Sequence, residues 1–522
     1  MKVGLDVGGT NTDAVLMDGR TVVAWAKVPT TGDVETGIEN AMAELLRSAA
    51  VAPERIEAVM LGTTQFANAI VQGKGLSRVG VIRLALPVGT AIPPLEDWPD
   101  DLREAIAPVV RQVHGGFEVI GTPVSEVDPA EIGEAARAFA AEGIRDVAIT
   151  GVFSPVDPSQ ERLVAGIVRE TIPDARISLG FDIGSLGLLQ RENACILNAA
   201  LGDVAVRVVD GFVGALRRSG LTAKVYLTQN DGTLMAADLA KRYPVRTVGS
   251  GPTNSMRGAA TITGLKDCVV VDVGGTTSDI GVLVGGFPRP ASINVSLAGV
   301  TTNFRMPDVY SMGLGGGSRV REGADGGLRL GPDSVGYRLT EEALVFGGRE
   351  VTTSDAAVAA GRLAIGTTAL PAGRDRAWGE RVLAEAARMV SEGIDRMKTQ
   401  AGDVTVVLVG GGSVLLPDRL EGASEVVRPP HSQVANAIGA ALAQVGAELD
   451  RVADLEPAHR AERLGRLRQE ALDAAAAAGA DPATCEVVEM EETPMAYMPG
   501  HQVRIRVRAV GDLEGLAPVG GR

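Results

Sequence analysis

The sequence predicts an α/β protein that contains an internally duplicated unit. Strand-like and helix-like segments alternate through the first half of the chain, a pattern typical of layered α/β folds. Nearly the same eight-residue phrase occurs twice, as DVGGTNTD at 6–13 and as DVGGTTSD at 272–279. Each copy lies between two short apolar runs, which predicts a β-hairpin with a tight Gly-Gly turn. The repeat therefore indicates one copy of a supersecondary unit in each half of the chain.

The individual elements predict three regions, a lobe at 1–187, a second lobe at 188–450 and a small α+β appendage at 451–522. Two Asp-Pro dipeptides, at 128–129 and 157–158, predict helix starts, with Asp as the capping residue and Pro in the first turn. Other predicted helices span 34–50, 378–400 and 456–478, or begin near 188 and 432. Predicted strands end near residue 60 or cover 146–150, 225–228, 269–272, 404–409, 485–490 and 503–507. We interpret the appendage as structural rather than as an arm that docks a partner.

Length and composition are those of a globular protein with two or three domains. The chain has 522 residues, of which 45% are hydrophobic and 22% are charged. Its net charge of −15 argues against a nucleic acid or an anionic membrane as partner, because phosphate groups attract clusters of Lys and Arg. We find no membrane-spanning apolar run and no signal-peptide pattern before the first strand. Three widely separated cysteines form no CxxC motif, and we expect a cytoplasmic protein.

The two Gly-Gly hairpins are the strongest functional signal. Glycine permits positive φ and close approach of a ligand to the main chain, and successive N–H groups around such a turn attract phosphate oxygens. A single loop of this kind is often only a tight turn, whereas two facing loops would hold a triphosphate from both sides. ATP is therefore the leading ligand. The candidate phosphate-binding residues are Gly8, Gly9, Thr10, Asn11 and Thr12 in the first copy, and Gly274, Gly275, Thr276, Thr277 and Ser278 in the second.

Four aspartates frame the two loops and are the candidate catalytic residues. Asp6 and Asp272 lie at the ends of the first strands, where carboxylates are suited to holding Mg²⁺ through its waters. Asp13 and Asp279 follow the loops and would orient either a hairpin or a nucleophile. The residues alone leave both of these roles open.

Two further glycine clusters are candidate ligand loops. Gly410, Gly411 and Gly412 follow the predicted strand 404–409, which is suited to close approach of a purine and ribose. A plain βα turn is the alternative interpretation. Gly315, Gly316 and Gly317 belong to the densest glycine stretch, 313–318, which is either a phosphate or substrate loop or a mobile connection.

Polar residues near predicted helices are candidates for substrate contact. They are Thr63, Thr64 and Asn68 at one helix entrance, and Glu192, Asn193 and Asn198 on one helical segment. Each of them is equally well explained as a capping or surface group. The four histidines have no metal-ligand spacing, and the chain has neither a GxSxG element nor a GxxxxGK[ST] loop. These absences argue against a zinc hydrolase, an acyl-enzyme and a P-loop enzyme.

Two phosphate hairpins and a late glycine-rich adenosine loop resemble the actin-like ATPase superfamily. Within it, the chain most resembles the hydantoinase A/oxoprolinase family over residues 1–445. The resemblance rests on DVGGTNTD at 6–13, GTTQFANA at 62–69, RENACILNA at 191–199, SGPTNSMRGA at 250–259, DVGGTTSD at 272–279, GLGGGS at 313–318 and VGGGS at 409–413. It implies an actin-like (ribonuclease H-like) duplicated fold with two lobes around a nucleotide cleft, and it implies ATP and Mg²⁺ as cofactors.

The family resemblance also implies a reaction. Family members couple ATP hydrolysis to the opening of cyclic amides such as hydantoins and 5-oxoproline, and relatives support the carboxylation of ketones. Phosphorylation of the amide or ketone oxygen would supply the reactive intermediate. We therefore expect an ATP-dependent cyclic amidase or its ATPase subunit, with a separately encoded partner subunit, a homo-oligomeric assembly or both. The alternatives are a sugar-type small-molecule kinase, the ATPase subunit of a ketone carboxylase and an ATP-switched binding protein.

Three positions depart from the family pattern. The family usually has an aromatic residue at the position of Asn11 and histidines at the positions of Leu61 and Tyr310. These positions lie near the expected substrate side, so the departures concern the substrate more than the ATP site. Tyr310 is therefore a further candidate for substrate contact.

Overall fold

The computed structural model describes residues 1–514 apart from 32–33, 292–293, 324–325, 496–497 and 499. The strands are β1 (Lys2–Val7), β2 (Asn11–Asp18), β3 (Thr21–Pro29), β4 (Ala58–Thr63), β5 (Val79–Leu86), β6 (Val109–His114), β7 (Asp146–Gly151), β8 (Arg176–Leu179), β9 (Lys224–Thr228), β10 (Leu234–Ala236), β11 (Cys268–Val273), β12 (Ser278–Val284), β13 (Phe287–Pro288), β14 (Val295–Leu297), β15 (Val300–Thr302), β16 (Val309–Met312), β17 (Ser318–Glu322), β18 (Leu328–Ser334), β19 (Val404–Val409), β20 (Ala423–Val427), β21 (Val445–Asp454), β22 (Glu486–Pro494) and β23 (Gln502–Gly511).

Helices lie between most of these strands. They are α1 (Val34–Ala49), α2 (Gln65–Gln72), α3 (Asp100–Ile106), α4 (Pro129–Ala141), α5 (Ser159–Thr171), α6 (Gly180–Ile183), α7 (Leu188–Ala200), α8 (Gly202–Arg218), α9 (Ala237–Arg242), α10 (Ser250–Thr263), α11 (Leu339–Glu342), α12 (Thr353–Ala359), α13 (Arg376–Met397), α14 (Ala435–Ala441) and α15 (Arg460–Ala477). Among the described residues, none of the helices is long and apolar enough to cross a membrane.

Two sheets repeat one strand order, which confirms the duplicated actin-like α/β fold. In the first sheet the order is β3-β2-β1-β4-β9, and in the second it is β13-β12-β11-β19-β20. In both, three consecutive strands pair antiparallel. A later strand pairs parallel with the first of them, and a still later strand pairs parallel with that one. The two copies of the DVGG phrase therefore occupy the same topological position, the turn between the first two strands of each sheet.

A third sheet is inserted after α2. Strands β6, β5, β7 and β8 form it in that order, and all of them are parallel. Helices α4 and α5 pack against it, and α7 contacts β7 and β5. Part of its buried residues form a core of their own with α4 and α5, which includes Ile82, Val147 and Phe139, whereas Val81 and Ala148 belong to the main core. A fully parallel sheet covered by helices explains why the segment 146–150 reads as a continuous apolar run.

The C-terminal strands extend the first sheet instead of standing apart. Its full order is β22-β23-β21-β10-β9-β4-β1-β2-β3, and α15 packs on β21 and β23. Leu467, Ala471 and Ala475 of α15 are buried against Val507 of β23. Strands from both sides of the predicted boundary between residues 187 and 188 share this sheet. Strand β21 itself crosses the predicted boundary between residues 450 and 451. The three-region division of the chain stays a prediction.

The predicted helix starts are close to the observed ones. Asp128 caps α4 by accepting a hydrogen bond from the Ala130 N–H at 2.9 Å. The carboxylate of Asp157 instead accepts from the Ser159 N–H at 2.8 Å, so α5 begins after Pro158 rather than at it. A short 3₁₀ turn over Ser432–Val434 precedes α14, which delays that helix by one turn relative to the prediction.

Candidate functional site

The two Gly-Gly hairpins have the same geometry. Asp6 lies opposite Asp13 in the first hairpin, and Asp272 lies opposite Asp279 in the second. The turns close with equivalent hydrogen bonds, from the Gly8 N–H to the Asn11 carbonyl at 3.1 Å and from the Gly274 N–H to the Thr277 carbonyl at 2.9 Å. The repeated phrase therefore specifies a repeated structure down to its turn.

The two turns lie against each other. A Cβ atom added at Gly275 would overlap the Thr10 side chain, so the tip of one hairpin contacts the tip of the other. None of Gly8, Gly9, Gly274 and Gly275 has a positive φ. The backbone freedom of glycine is thus not used at these four positions. At Gly275, the missing side chain permits the close approach.

The glycine cluster 315–317 is bonded to the second hairpin. Gly316 and Gly317 donate their N–H groups to the carbonyls of Gly274 and Gly275, at 3.0 and 2.7 Å. A Cβ atom at Gly315 would lie 2.6 Å from the Thr276 nitrogen. The segment is therefore held against the predicted phosphate loop over its full length.

The glycine cluster 410–412 also reaches this hairpin. Gly412 donates its N–H to the Val273 carbonyl at 2.8 Å, and a Cβ atom at Gly410 would overlap the Asp272 carboxylate. Gly410 has a φ of +86°, which favours glycine there. A Cβ atom at Gly411 would lie 3.3 Å from Lys27 of β3, which belongs to the first sheet. The glycine clusters and the two hairpins therefore meet at one place.

Helices α10 and α14 bring further polar side chains to the aspartates. A Cβ atom at Gly439 of α14 would overlap the Asn254 carbonyl of α10, so the two helices touch through their backbones. From α14, Asn436 donates its Nδ2 group to Asp6 Oδ2 at 2.8 Å. From α10, Ser255 donates its hydroxyl to Asp272 Oδ2 at 2.5 Å. One helix pair thus supports the leading aspartate of each hairpin.

Burial and mutual repulsion shift the ionisation of these aspartates. Burial, together with the neighbouring carboxylates of Asp13 and Asp272, raises the pKa of Asp6 to about 7. Burial also raises the pKa of Asp13 and of Asp272. For Asp13, Lys27 opposes this shift, because its Nζ lies 2.6 and 2.8 Å from the two carboxylate oxygens. The hairpin region therefore brings together several buried carboxyl groups whose negative form is disfavoured, and only one ammonium group contacts them directly among the described residues.

Asp279 has a different environment. Burial raises its pKa to about 6, and the charge of Asp272 adds to the shift. The Ser311 hydroxyl donates to its Oδ1 atom at 2.5 Å from the neighbouring strand β16. Asp13 is held by an ammonium group, whereas Asp279 is held by a neutral hydroxyl.

Several buried polar atoms at the site have no hydrogen-bond partner among the described residues. They are Asp6 Oδ1, Thr10 Oγ1 and Asn254 Oδ1. Buried polar atoms are nearly always paired in folded proteins, so an unpaired oxygen on each of Asp6 and Asn254 suits a polar partner from outside the chain. A Cβ atom at Gly62 would overlap both Asp6 and Asn254, which places these two residues together beside β4.

The donor set fits Mg²⁺ only together with phosphate oxygens. Within the described part of the chain, no group of three or more His, Cys, Asp or Glu side chains is arranged to hold a metal ion. Mg²⁺ is usually bound through one or two carboxylates, waters and substrate phosphates rather than by an all-protein cage. Asp6, one oxygen of which has no hydrogen-bond partner among the described residues, and Asp272 are the carboxylates that would hold the ion in this way.

Two of the hydroxyl groups predicted to bind phosphate, those of Thr12 and Ser278, contact other protein groups. Thr12 and Ser278 are fully buried. The Thr12 hydroxyl lies 3.4 Å from that of Thr30, and the Ser278 hydroxyl donates to the Leu314 carbonyl at 2.6 Å. Thr277 is exposed at the tip of the second hairpin. The role of each hydroxyl in phosphate binding stays a prediction.

The helix-entrance candidates lie beside the first hairpin. Strand β4 pairs parallel with β1, which places Thr63 next to Val7. The Thr63 hydroxyl accepts a hydrogen bond from the Gln65 N–H at 3.2 Å, and Asn68 donates to the Thr64 hydroxyl at 3.4 Å. These residues are therefore positioned at the edge of the sheet from which Asp6 emerges.

The candidates on α7 are engaged in packing. Glu192 forms a two-point ion pair with Arg83, at 2.7 and 2.5 Å, and each side chain is 1% exposed. Asn193 accepts from Trp98 Nε1 at 2.8 Å, and Asn198 donates to the Ser178 hydroxyl at 2.9 Å. These bonds hold α7 in place beside the inserted sheet. Substrate contact by these three residues stays a prediction.

Tyr310 projects from β16 toward α13. Its hydroxyl accepts a hydrogen bond from Arg396 at 2.8 Å, and the guanidinium group lies 5.0 Å from the ring centre. Its neighbour Ser311 contacts Asp279 instead, as expected from the alternation of side chains along a strand. Whether Tyr310 contacts the substrate stays a prediction.

Two family models cover most of the chain. Residues 2–172 match the hydantoinase/oxoprolinase N-terminal region, and residues 191–380 match hydantoinase/oxoprolinase. The chain belongs to the hydantoinase/oxoprolinase family. This membership confirms the resemblance that the motifs indicate.

Two proteins that this family member resembles are subunits of enzymes. Caprolactamase subunit alpha of Pseudomonas jessenii is 27% identical over an alignment of 394 residues, which covers 70% of this chain and 55% of that subunit. The acetophenone carboxylase gamma subunit of Aromatoleum aromaticum is 27% identical over an alignment of 397 residues, which covers 69% of this chain and 53% of that subunit. The chain thus matches these curated relatives over about half of their length.

The fold of the family member is shared with a solved structure. The crystal structure of the ATP-dependent caprolactamase from Pseudomonas jessenii superposes with a TM-score of 0.75 at 20% identity. The superposition covers 99% of this chain and 88% of that chain. At this level of identity, the likeness shows the fold.

Four residues that the sequence-based prediction did not nominate belong to the site. Asn254 and Ser255 lie within the family motif at 250–259, so this motif could have indicated them as site residues. Lys27 lies opposite Asp13 in the β2–β3 register, which a hairpin model predicts once the strands are aligned. Asn436 reaches Asp6 from 430 residues away and carries no local signal.

Proposed function

We propose that this chain uses ATP to activate the carbonyl oxygen of a cyclic amide, such as a lactam or a hydantoin, for ring opening. The observation that supports this most strongly is the contact between the tips of two matched hairpins, each of which carries an aspartate at its base. One oxygen of Asp6 has no hydrogen-bond partner among the described residues. Membership of the hydantoinase/oxoprolinase family gives the reaction class.

ATP would lie between the hairpins. The N–H groups and hydroxyls at 8–12 and 274–278 would receive the phosphates from opposite sides, and the cluster 410–412 would adjoin the adenosine. Mg²⁺ would be held by Asp6 and Asp272 and would offset the negative charge of the phosphates. Catalysis would then depend on positioning and charge neutralisation, as in other phosphoryl transfers.

The chemistry proceeds in two stages. The amide oxygen attacks the γ-phosphorus, which releases ADP and forms an imidate phosphate. Water then adds to the ring carbon and the C–N bond breaks, which leaves an amine and an acyl phosphate. A second water attacks the carbon of the acyl phosphate and breaks its bond to the phosphorylated oxygen, so phosphate leaves with that oxygen and a carboxylate remains. The products are ADP, phosphate and an open-chain molecule with a carboxylate and an amine.

The two remaining aspartates suit different roles. Asp13 is tied to Lys27, and Lys27 also donates to the Gln433 carbonyl at 3.1 Å, which suits an orienting role. Asp279, with a pKa of about 6, is ionised at neutral pH and is able to accept a proton from water. We assign Asp279 as the candidate base and Asp13 as a positioning residue.

The assembly would include another polypeptide. The named relatives are subunits called alpha and gamma, and this chain matches only about half of each. We propose a separately encoded partner subunit, a homo-oligomer or both, in the cytoplasm and without a nucleic-acid or membrane partner.

One observation favours a second candidate function. The acetophenone carboxylase gamma subunit is as similar in identity as the caprolactamase subunit is, at 27%. The same ATP site would then phosphorylate the enolate oxygen of a ketone before carboxylation. The two candidates share the activated oxygen and differ in the acceptor.

ATP-dependent phosphate release across a substrate panel tests the proposal. The panel contains lactams, hydantoins, ketones with bicarbonate, and sugars, each with and without any protein that co-purifies. We expect phosphate release that depends on a cyclic amide and yields the ring-opened product. Release that depends on a ketone and bicarbonate supports the second candidate, and a stable phosphorylated sugar contradicts both.

A further inference from the structure

A cavity of about 440 Å³ lies outside the hairpin loops. Its walls come from α6, the ends of β9 and β10, the segment 303–306, strand β21 and the last turn of α15. This volume is within the range of small-molecule sites in proteins. The cavity contains none of the aspartates or glycines assigned to ATP.

The cavity adjoins the ATP site through the first sheet. Strands β1, β4 and β9 are parallel neighbours, and the cavity residues 229–231 directly follow β9. With strands about 4.8 Å apart, the end of β9 lies roughly 10 Å from the end of β1. Asn230 Oδ1 accepts a hydrogen bond at 2.7 Å from Gly249, the residue before α10. The two sites therefore share one edge of the sheet.

Two arginines of the cavity have no carboxylate partner among the described residues. Arg246 donates to the main-chain carbonyl of Asp182 at 2.6 Å, and Arg451 donates to that of Asp450 at 3.1 Å. Their guanidinium groups lie 4.4 Å from the Tyr243 ring centre and 5.7 Å from the Phe181 ring centre. Both arginines keep N–H groups available to an anion in the cavity.

The other two arginines of the cavity are neutralised. Arg305 contacts Glu448 at 2.5 Å, and Arg506 contacts Glu448 at 3.4 Å and Asp450 at 3.6 Å. The pairing of these residues leaves the charges of Arg246 and Arg451 as the available positive groups of the cavity.

Two aspartates of the cavity likewise have no Lys or Arg partner within ion-pair distance in the described chain. Asp182 accepts from the Tyr243 hydroxyl at 3.3 Å through one oxygen. Asp231 accepts from the N–H and the hydroxyl of Thr233 through one oxygen, at 3.0 and 2.7 Å. In each case the second oxygen has no hydrogen bond to a described residue. The cavity thus offers available groups of both signs.

Apolar side chains line the rest of the cavity. They include Met235, Leu239, Phe304 and Met306. A hydrocarbon segment would be buried against them, while charged ends of the same molecule would reach the arginines and the aspartates.

We propose that this cavity binds a small amino acid in its zwitterionic form. Its carboxylate would contact Arg246 and Arg451, and its ammonium group would contact Asp182 and Asp231. Opening a cyclic amide with water produces this class of molecule, because the broken C–N bond leaves a carboxylate and an amine on one carbon chain. That the ligand is the reaction product rests on the proposed function, whereas the binding itself does not.

Isothermal titration calorimetry of the full chain without ATP tests the site. The probes are 5-aminopentanoate, 6-aminohexanoate and glutamate, compared with hexanoate, hexylamine and caprolactam. We expect at least one amino acid to bind at least tenfold more tightly than every probe that lacks one or both charges. Arg451→Gln and Arg246→Gln should each weaken that binding at least tenfold. Arg388→Gln, at an exposed site on α13, should leave it unchanged.

Two further variants keep the test decisive. Ala477 is exposed and lines the cavity on α15, so Ala477→Trp should block the ligand while preserving the thermal unfolding midpoint. Asp6→Asn should retain amino-acid binding while it loses ATP turnover, which separates this proposal from the proposed function. Equal affinity for all probes, or unchanged binding in the two arginine variants and in Ala477→Trp, overturns the assignment.

Discussion

Asp6 has one carboxylate oxygen bound by Asn436 and one buried oxygen without a partner among the described residues. Asp6→Asn preserves the size of the side chain and removes its charge. We expect the ATP turnover to fall by about 100-fold or more, as for other groups that stabilise a transition state electrostatically. Circular dichroism should show an unchanged fold. Turnover near the parental rate would remove Asp6 from the site.

Lys27 offsets the buried charge of Asp13. Lys27→Met leaves that carboxylate without its ammonium partner, and removal of one member of a buried pair costs about 3–5 kcal/mol. Since Lys27 is partly exposed, we expect a loss of about 2 kcal/mol in the free energy of unfolding, measured in urea.

The double variant Lys27→Met with Asp13→Asn is the matched control. It removes both charges, so it should recover part of the lost stability. Equal stability of the single variant and the parent protein would show that the pair contributes nothing measurable.

Asp279 gives the stability a defined pH dependence. Its folded pKa of about 6 lies above its usual value, so the folded state binds a proton that the unfolded chain releases earlier. This group therefore lowers stability progressively as the pH rises from about 4 to about 6. Asp279→Asn should raise the thermal unfolding midpoint at pH 8 and have little effect near pH 4. A difference of the same size at both pH values would contradict the assigned shift.

At the residue scale, local patterns predict a part of the site. The aspartates and glycines of the hairpins follow from the repeated phrase, and Lys27 follows from the strand register. Asn436 does not, because its contact with Asp6 depends on the packing of α14 on β1. Glu192 illustrates the opposite error. Its place in a polar motif makes it a candidate for substrate contact, but the motif does not reveal that Glu192 forms a buried ion pair with Arg83.

At the element scale, the glycine clusters 315–317 and 410–412 bring their backbone into contact with the second hairpin. Gly410→Ala would introduce a side chain at a φ of +86° and against Asp272 and Val273. We expect a loss of about 2 kcal/mol in the free energy of unfolding without ligand. Gly402→Ala is the control, because a Cβ atom there meets no atom within 4 Å. Equal stability of the two variants would contradict the assigned contact.

The packing of α10 on α14 could not be predicted from the sequence. Gly258 and Gly439 lie inside these helices. Because glycine is a poor helix former, the sequence alone suggests that these positions destabilise the helices. Each instead lets a main-chain carbonyl of the other helix approach. Sequence periodicity finds the helices, whereas their contact depends on residues that are far apart in the chain.

At the scale of the whole molecule, the repeated phrase predicts the duplicated architecture. Alternating elements and two hairpins indicate two related units, and the matching strand orders confirm them. The attachment of β21, β22 and β23 to the first sheet could not be predicted, because it depends on β10 pairing with a strand more than 200 residues later. That attachment also forms one wall of the amino-acid cavity.

Transfer of isotope from the substrate to phosphate tests the central claim most directly. A cyclic amide labelled with ¹⁸O at its carbonyl is incubated with ATP, the chain and any co-purifying partner, and the released phosphate is analysed by mass spectrometry. Phosphorylation of the carbonyl oxygen predicts one ¹⁸O atom in the phosphate for each ring opened. Ring opening with unlabelled phosphate, and with all of the label in the carboxylate product, would contradict the account.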